Sequence, residues 1–283
     1  MELESQQISE QQKDSWNKFS AGWKKWDLLM MDFLKPIGDE MIALVNPQEN
    51  ETVLDVASGT GEPGISLAAK IGNGKIIFTD LSNKMLEIAE ENANKAGIPN
   101  FETRVCDVSE LPFEDNTFDI ISCRLGFMFF PDLHLATREL VRVLKPGGRI
   151  TTSVWCGPEK NFWVTAIGGT INQNMGLSAP PEGAPGMFRC AKAGHLADIF
   201  RESGLKNISE SEVLGTFRLG TAETYWNMMT EVAAPFVAAL SKADETMKTK
   251  IKTEVYELIN TKYPDGNVAI PSSAIVLYGE KEL

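Results

Sequence analysis

The chain has 283 residues, 43% of them hydrophobic, and carries 27 basic against 39 acidic side chains for a net charge of −12. That is globular composition, and the length is enough to bury a core without disulfide or metal staples. The acidic balance speaks against nucleic acid or an anionic membrane as partner, because both select a basic face.

Residues 1–48 read as a helical cap. Leu28, Leu29, Met31, Phe33 and Leu34 are followed by Ile37, Met41, Ile42 and Val45 at helical spacing. Trp16, Phe19, Trp23 and Trp26 recur three or four apart on one face. From residue 51 the rhythm becomes short apolar runs alternating with helical patterns. Strands are expected over 52–57, 75–80, 101–107, 118–124 and 149–155. Helices are expected over 63–71, 84–96 and 133–144, between the first strands and the last. This alternation implies βαβ units and a parallel sheet covered on both faces. The stretch 156–190 is rich in Gly and Pro and reads as a long irregular connection. A short helix is expected from His195 to Ser203, and strands over 206–219 and 268–279. Between those strands lies an insertion, 220–266, far longer than an ordinary connection. Met247, Ile251, Val255, Leu258 and Ile259 make it helical, and it reads as a lid. The expected organisation is one α/β domain: cap 1–48, ligand-binding core 50–155, and lid 220–266.

The first strand runs into Asp55-Val-Ala-Ser-Gly59-Thr-Gly61-Glu-Pro-Gly64. Taken literally, Gly59, Gly61 and Gly64 satisfy a dinucleotide-binding pattern, so a nicotinamide-dependent oxidoreductase is the alternative enzyme reading. Asp80 closes the second strand, nineteen residues after Gly61. A carboxylate there can accept hydrogen bonds from ribose hydroxyls. Two further acids separate the readings. Asp55 beside the glycine turn would repel a pyrophosphate but welcome an ammonium. Asp107 ends the third strand with Val108 beside it, placed to accept from an adenine amino group while Val108 packs on the ring. Leu-Lys-Pro-Gly-Gly-Arg (144–149) reads as a helix stop feeding the fifth strand. Ammonium, ribose and adenine without phosphate describe S-adenosylmethionine.

The string LDVASGTG, then Asp80-Leu-Ser followed by Met85-Leu86, then CDVSELPFEDNTFD and ELVRVLKPGG, closely resembles the class I S-adenosylmethionine-dependent methyltransferases. Within them it is similar to the branch containing the ubiquinone and menaquinone C-methyltransferases. The resemblance covers about residues 50–155. It implies a Rossmann-like, doubly wound, seven-stranded sheet whose last strand, here 268–279, is antiparallel. It also implies that the cofactor lies over the carboxyl ends of the first four strands, held by Asp55, Ala57, Ser58, Gly59, Gly61, Asp80, Leu81, Met85, Asp107, Val108 and Cys123. Ala57 stands where many members carry a glycine. Aligned on Gly126 and Asp132, Met128-Phe129 stands where the quinone enzymes carry Arg-Asn, which argues against a quinone acceptor.

Methyl transfer from a sulfonium is an in-line displacement whose main requirement is alignment, so the expected activity needs no catalytic triad. His134 and His195 are the only histidines and the weak candidates for a general base. Arg124, at the end of the fourth strand, is placed to hold an anionic group of the substrate. Phe127 and its neighbours, Trp23 and Trp163 are candidates for an apolar acceptor pocket. A non-catalytic cofactor-binding module is a further alternative, because binding motifs and chemistry are separable. Cys106, Cys123, Cys156 and Cys190 form no metal-ligand spacing and read as reduced thiols of a cytoplasmic protein, with no metal. The polar, acidic start is unlike a secretory leader, and no apolar run approaches the roughly 18 residues of a membrane span. The expected partner is a small-molecule substrate.

Overall fold

Val53, Leu54 and Val56 of strand β1 (Thr52–Val56) are buried, as are Ile76 to Asp80 of β2 (Lys75–Asp80). Runs with no solvent face belong in the middle of a sheet covered on both sides. In the computed structural model, which describes residues 2–177, 181 and 183–283, they lie there. The other strands are β3 (Phe101–Val105), β4 (Phe118–Arg124), β5 (Leu144–Trp155), β6 (Leu205–Gly220) and β7 (Val268–Lys281). The seven strands are ordered β3-β2-β1-β4-β5-β7-β6. β7 runs antiparallel to both β5 and β6, and every other pairing is parallel. The chain order reverses between β1 and β4, which opens a crevice beyond their carboxyl ends.

The N-terminal cap is one helix, α1 (Glu2–Val45). Met30, Phe33, Leu34, Ile37 and Met41 pack into the larger of two buried clusters, and Ile42 and Val45 reach the smaller one on the opposite face of the sheet. The helices α2 (Gly64–Ala68) and α3 (Asn83–Lys95) follow β1 and β2, and α4 (Leu133–Val143) precedes β5. Local chemistry sets where these begin. Ser82 accepts from the Met85 amide at 3.1 Å and Asp132 from the Leu135 amide at 2.8 Å. Each cap contributes about 1 kcal/mol.

Three expectations need correction. The stretch 156–190 is not irregular throughout, because it contains α5 (Phe162–Met175). Gly168 and Gly169 mask that helix in the sequence, yet Trp163, Val164, Ala166, Ile167 and Ile171 give it a buried face. Residues 178–180 and 182 of that expectation lie outside the described residues. Leu144 to Arg149 is not a mere helix stop. Leu144 already pairs with Phe118 in the sheet, and the irregularity between Phe118 and Ile120 takes up the register. The third strand ends at Val105 rather than Asp107. Asp107 turns the chain instead by accepting from both the amide and the hydroxyl of Ser109.

After α6 (His195–Glu202), the insertion folds as α7 (Ala222–Val232), α8 (Ala234–Leu240) and α9 (Glu245–Lys262). α7 lies against α1 so closely that a Cβ on Gly22 would come within 2.1 Å of the Glu231 carbonyl oxygen. Lys25 and the Trp26 indole both bond the Glu231 carboxylate, at 2.7 and 2.8 Å. Cap and insertion therefore meet above the crevice. Among the described residues no helix is long and apolar enough to cross a membrane.

Candidate active site

Where cap and insertion come over the strand ends they border a cavity of about 410 Å³, within the range of small-molecule sites. Its floor comes from the loop after β1, the end of β2 and the segments following β3 and β4. Its roof is a long stretch of α1, from Ser9 to Leu34, and the α7–α8 junction from Met229 to Pro235.

The floor is built by backbone. The Ser58 amide donates to the Thr79 carbonyl at 3.0 Å, and the Gly61 amide to the Ser58 carbonyl at 2.8 Å, curling the loop back over β1. Gly59 has φ +53° and open space where a Cβ would sit, so the loop exposes backbone there. Ala57 has φ +51°, in the region that favours glycine. The Asp80 carboxylate joins the two halves of the floor. It accepts from the Gly59 amide at 3.0 Å and the Ser82 amide at 2.9 Å. Burial pushes its pKa up, and those two amides oppose the rise. At the next strand end Asp107 engages only Oδ1, with Ser109. Leu81, Met85 and Val108 supply apolar wall around the two acids. Two buried polar atoms on the cavity wall, Ser58 Oγ and Trp23 Nε1, have no hydrogen-bond partner. Buried polar atoms left without partners are uncommon, and both belong to residues of the cavity wall.

Of the residues picked out from sequence, Ala57, Ser58, Gly59, Asp80, Leu81, Met85, Asp107, Val108, Arg124, Trp23 and Trp163 all line this one cavity. The others do not. Asp55 is fully buried beneath the floor. Its Oδ1 accepts from the Ser122 hydroxyl, and its Oδ2 has no side-chain partner and sits against Gly64, where a Cβ would come within 2.7 Å of it. Burial pushes its pKa up to about 7, against the pull of Ser122 and Arg124. An ammonium in the cavity therefore does not meet this carboxylate directly. Gly61 points at Ile65 and α3 rather than at the cavity. Cys123 is buried at the end of β4, and burial raises its pKa. Phe127 packs inward on Phe130 and Phe200, with ring centroids 5.1 and 5.8 Å apart.

The histidines are also remote. His134 is exposed on α4, 3.7 Å from Glu202, and His195 starts α6. Neither lines the cavity. Trp163 is as much core as wall, with Phe33, Trp155 and Phe217 around it and its indole donating to Asn161 at 3.1 Å. Sequence reasoning missed Glu62 and most of the roof. Met30, Met31, Leu34, Met187 and Met229 converge there from three distant segments. Only the apolar spacing of α1 could have pointed to part of it.

A family model described as a methyltransferase domain matches residues 53–148. A demethylmenaquinone methyltransferase of Listeria monocytogenes serotype 4a (strain HCC23) is 38% identical over 185 residues, covering 60% of this chain and 76% of that protein. One from Bacillus subtilis (strain 168) is 29% identical over 203 residues, covering 66% and 83%. Among solved structures, the YcgJ protein of Bacillus subtilis aligns over 87% of this chain and 98% of its own, with a TM-score of 0.59 and 20% identity. A putative methyltransferase from Bacillus halodurans C-125 covers 87% and 99%, with a TM-score of 0.57 and 19% identity. At those identities the structural likeness bears on the fold.

Proposed function

The chain belongs to the S-adenosylmethionine-dependent methyltransferase family, and from there we propose that its acceptor is an apolar small molecule seated under α1 and the α7–α8 junction. The observation that carries this is the composition of the cavity. It joins acids at two strand ends to a chamber walled by Met30, Met31, Leu34, Met128, Trp155 and Met229, with no His, Lys or Tyr among the described lining residues. The relatives are named for demethylmenaquinone, and an apolar chamber suits an acceptor of that character. Met128 and Phe129 on the wall mean that packing, rather than a polar pair at that place, would hold its ring.

The residues present fit the cofactor. Asp80, pinned by two amides before any ligand arrives, would accept from the ribose hydroxyls. Asp107 has Oδ2 left over for an adenine amino group, with Val108, Leu81 and Met85 beside the ring. Ala57 to Gly59 would surround the amino-acid end with backbone. Asp55 acts from beneath, through Ser122 and the field it shares with Arg124. When bound, S-adenosylmethionine supplies a methyl group already activated on a positively charged sulfur. The protein's part is alignment and exclusion of water, and positioning of this kind is worth about 7–11 kcal/mol. The packed contact of α1 with α7 provides the exclusion. A cytoplasmic location goes with this reading, since the four cysteines are free thiols.

The test is transfer of labelled methyl from S-adenosylmethionine to a panel of acceptors graded in polarity. Turnover confined to apolar acceptors supports the reading. Turnover confined to cationic or highly polar ones would sink it.

A further inference from the structure

Three side chains, Met31, Glu62 and Arg124, line the main cavity and also a second one of about 320 Å³. The second cavity is lined also by Asp32, Lys35, Asp39 and Ser66, beside Ile42 and Pro63. Lys35 is engaged by Asp39 at 2.6 Å, and both are largely exposed, so this chamber opens toward water.

Glu62 is held in place. Its two carboxylate oxygens accept from the Ser66 amide at 3.1 Å and the Ser66 hydroxyl at 3.0 Å. Arg124 is not. Its Nη2 approaches the Met31 sulfur at 3.2 Å, and among the described residues no carboxylate forms an ion pair with it. A thioether is a weak acceptor, so a half-buried guanidinium keeps donors to spare. Burial lowers its pKa, and the nearby charges of Glu62, Asp55 and Asp27 oppose that fall.

The titratable groups described on the main cavity are few: Glu62, Asp80, Cys106, Asp107 and Arg124. Asp80 is tied to backbone amides, and Asp107 stands at the far strand end. The Cys106 thiol is pushed up to about 12 by burial, so it stays protonated. That leaves Glu62 as the group able to take a proton beside a cation able to hold what remains.

We propose that Glu62 accepts the acceptor's proton and releases it into the outer cavity, while Arg124 holds the anion left behind. This rests on the methyltransferase reading above. The acceptor's O–H bond breaks, its electron pair stays on the acceptor oxygen, and the proton bonds to a Glu62 carboxylate oxygen. Once the methylated product has left, water in the outer cavity takes that proton and restores the carboxylate. Glu62 lines both chambers, so the proton has a route out that does not pass the acceptor. An ammonium acceptor is disfavoured at the same place, because Arg124 repels it.

The experiment uses the full chain saturated with S-adenosylhomocysteine and 4-nitrophenol as probe, whose ionised form is read by its absorbance. Bound probe should ionise at a pH roughly 1–3 below that of free probe, as a nearby cation dictates. Arg124→Met should abolish the shift, and Arg124→Lys should keep part of it. The wild type should bind the probe as phenolate and retain its proton, release to the buffer overturning the proposal, and Glu62→Gln should lose that retention. Calorimetry in buffers of different ionisation heat reads this as about one proton released or the probe left neutral. Probe bound neutral by the wild type, no probe binding, or a Glu62→Gln protein indistinguishable from wild type would each overturn the proposal. Failure to bind S-adenosylhomocysteine in the first step would instead count against the methyltransferase reading of this site.

Discussion

The amide of Gly59 donates to the carboxylate of Asp80 at 3.0 Å, tying the loop after β1 to the end of β2. The same carboxylate takes the Ser82 amide at 2.9 Å, so its orientation is set by the fold rather than by a ligand. Asp80→Ala removes the ligand's acceptor and both ties at once. We expect S-adenosylhomocysteine affinity to fall roughly tenfold or more, each charge-assisted bond being worth about 1.5–3 kcal/mol. Asp80→Asn, which keeps one acceptor oxygen, should fall between. Calorimetric titration of the three proteins checks the order, and equal affinities would contradict it.

Asp55 should make stability depend on pH. Its folded pKa of about 7 lies above the ordinary value of 3.8, so the folded state binds the proton more tightly. The stabilisation linked to that proton is fully present below the ordinary value and is lost as pH rises through about 7. Denaturant unfolding should therefore show wild-type stability falling across that window, with Asp55→Asn flatter over the same range. Parallel profiles for the two proteins would show that Asp55 ionises as it does in the unfolded chain.

Ala57 is held at φ +51° without being glycine. A left-handed alanine costs about 1–2 kcal/mol, so Ala57→Gly should stabilise the protein by about 1 kcal/mol, net of the added freedom of the unfolded chain. A rise in thermal midpoint is the check. A fall would mean that the alanine methyl contributes packing on Gly126 larger than the strain.

Trp163 stands between wall and core. Its contacts with Phe33, Trp155 and Phe217 make Trp163→Ala a truncation of a packed aromatic, with a loss of about 3–5 kcal/mol. His134 and His195 lie off the cavity, so His134→Ala and His195→Ala should leave turnover within about twofold. A large loss of turnover with either, at unchanged stability, would reopen the question of a histidine base.

The parts of this molecule that could be read from its residues are those set by local chemistry. β1, β2 and β4 are largely apolar runs, Asp80 closes β2, and Asp107 follows β3 by two residues, where a sheet of this kind binds ligands. What escaped reading depends on convergence. Met31, Met187 and Met229 line one cavity only because α1 lies across the sheet while the insertion and the segment before α6 both fold back onto it. Glu62 was visible in the glycine loop, but its place between two cavities depends on α1. Asp55 was read as facing a ligand. Gly64, by lacking a side chain, leaves room for it to turn under the floor, and a glycine in a helix pattern does not announce what it makes room for.

The most direct test of the account is calorimetric titration of S-adenosylhomocysteine into the wild-type chain, with NADH as control. We expect micromolar binding of the former, of the order of −8 kcal/mol, and no heat from the latter. Binding of NADH without S-adenosylhomocysteine would contradict the assignment of Asp80 and Asp107 and return the glycine loop to its dinucleotide reading.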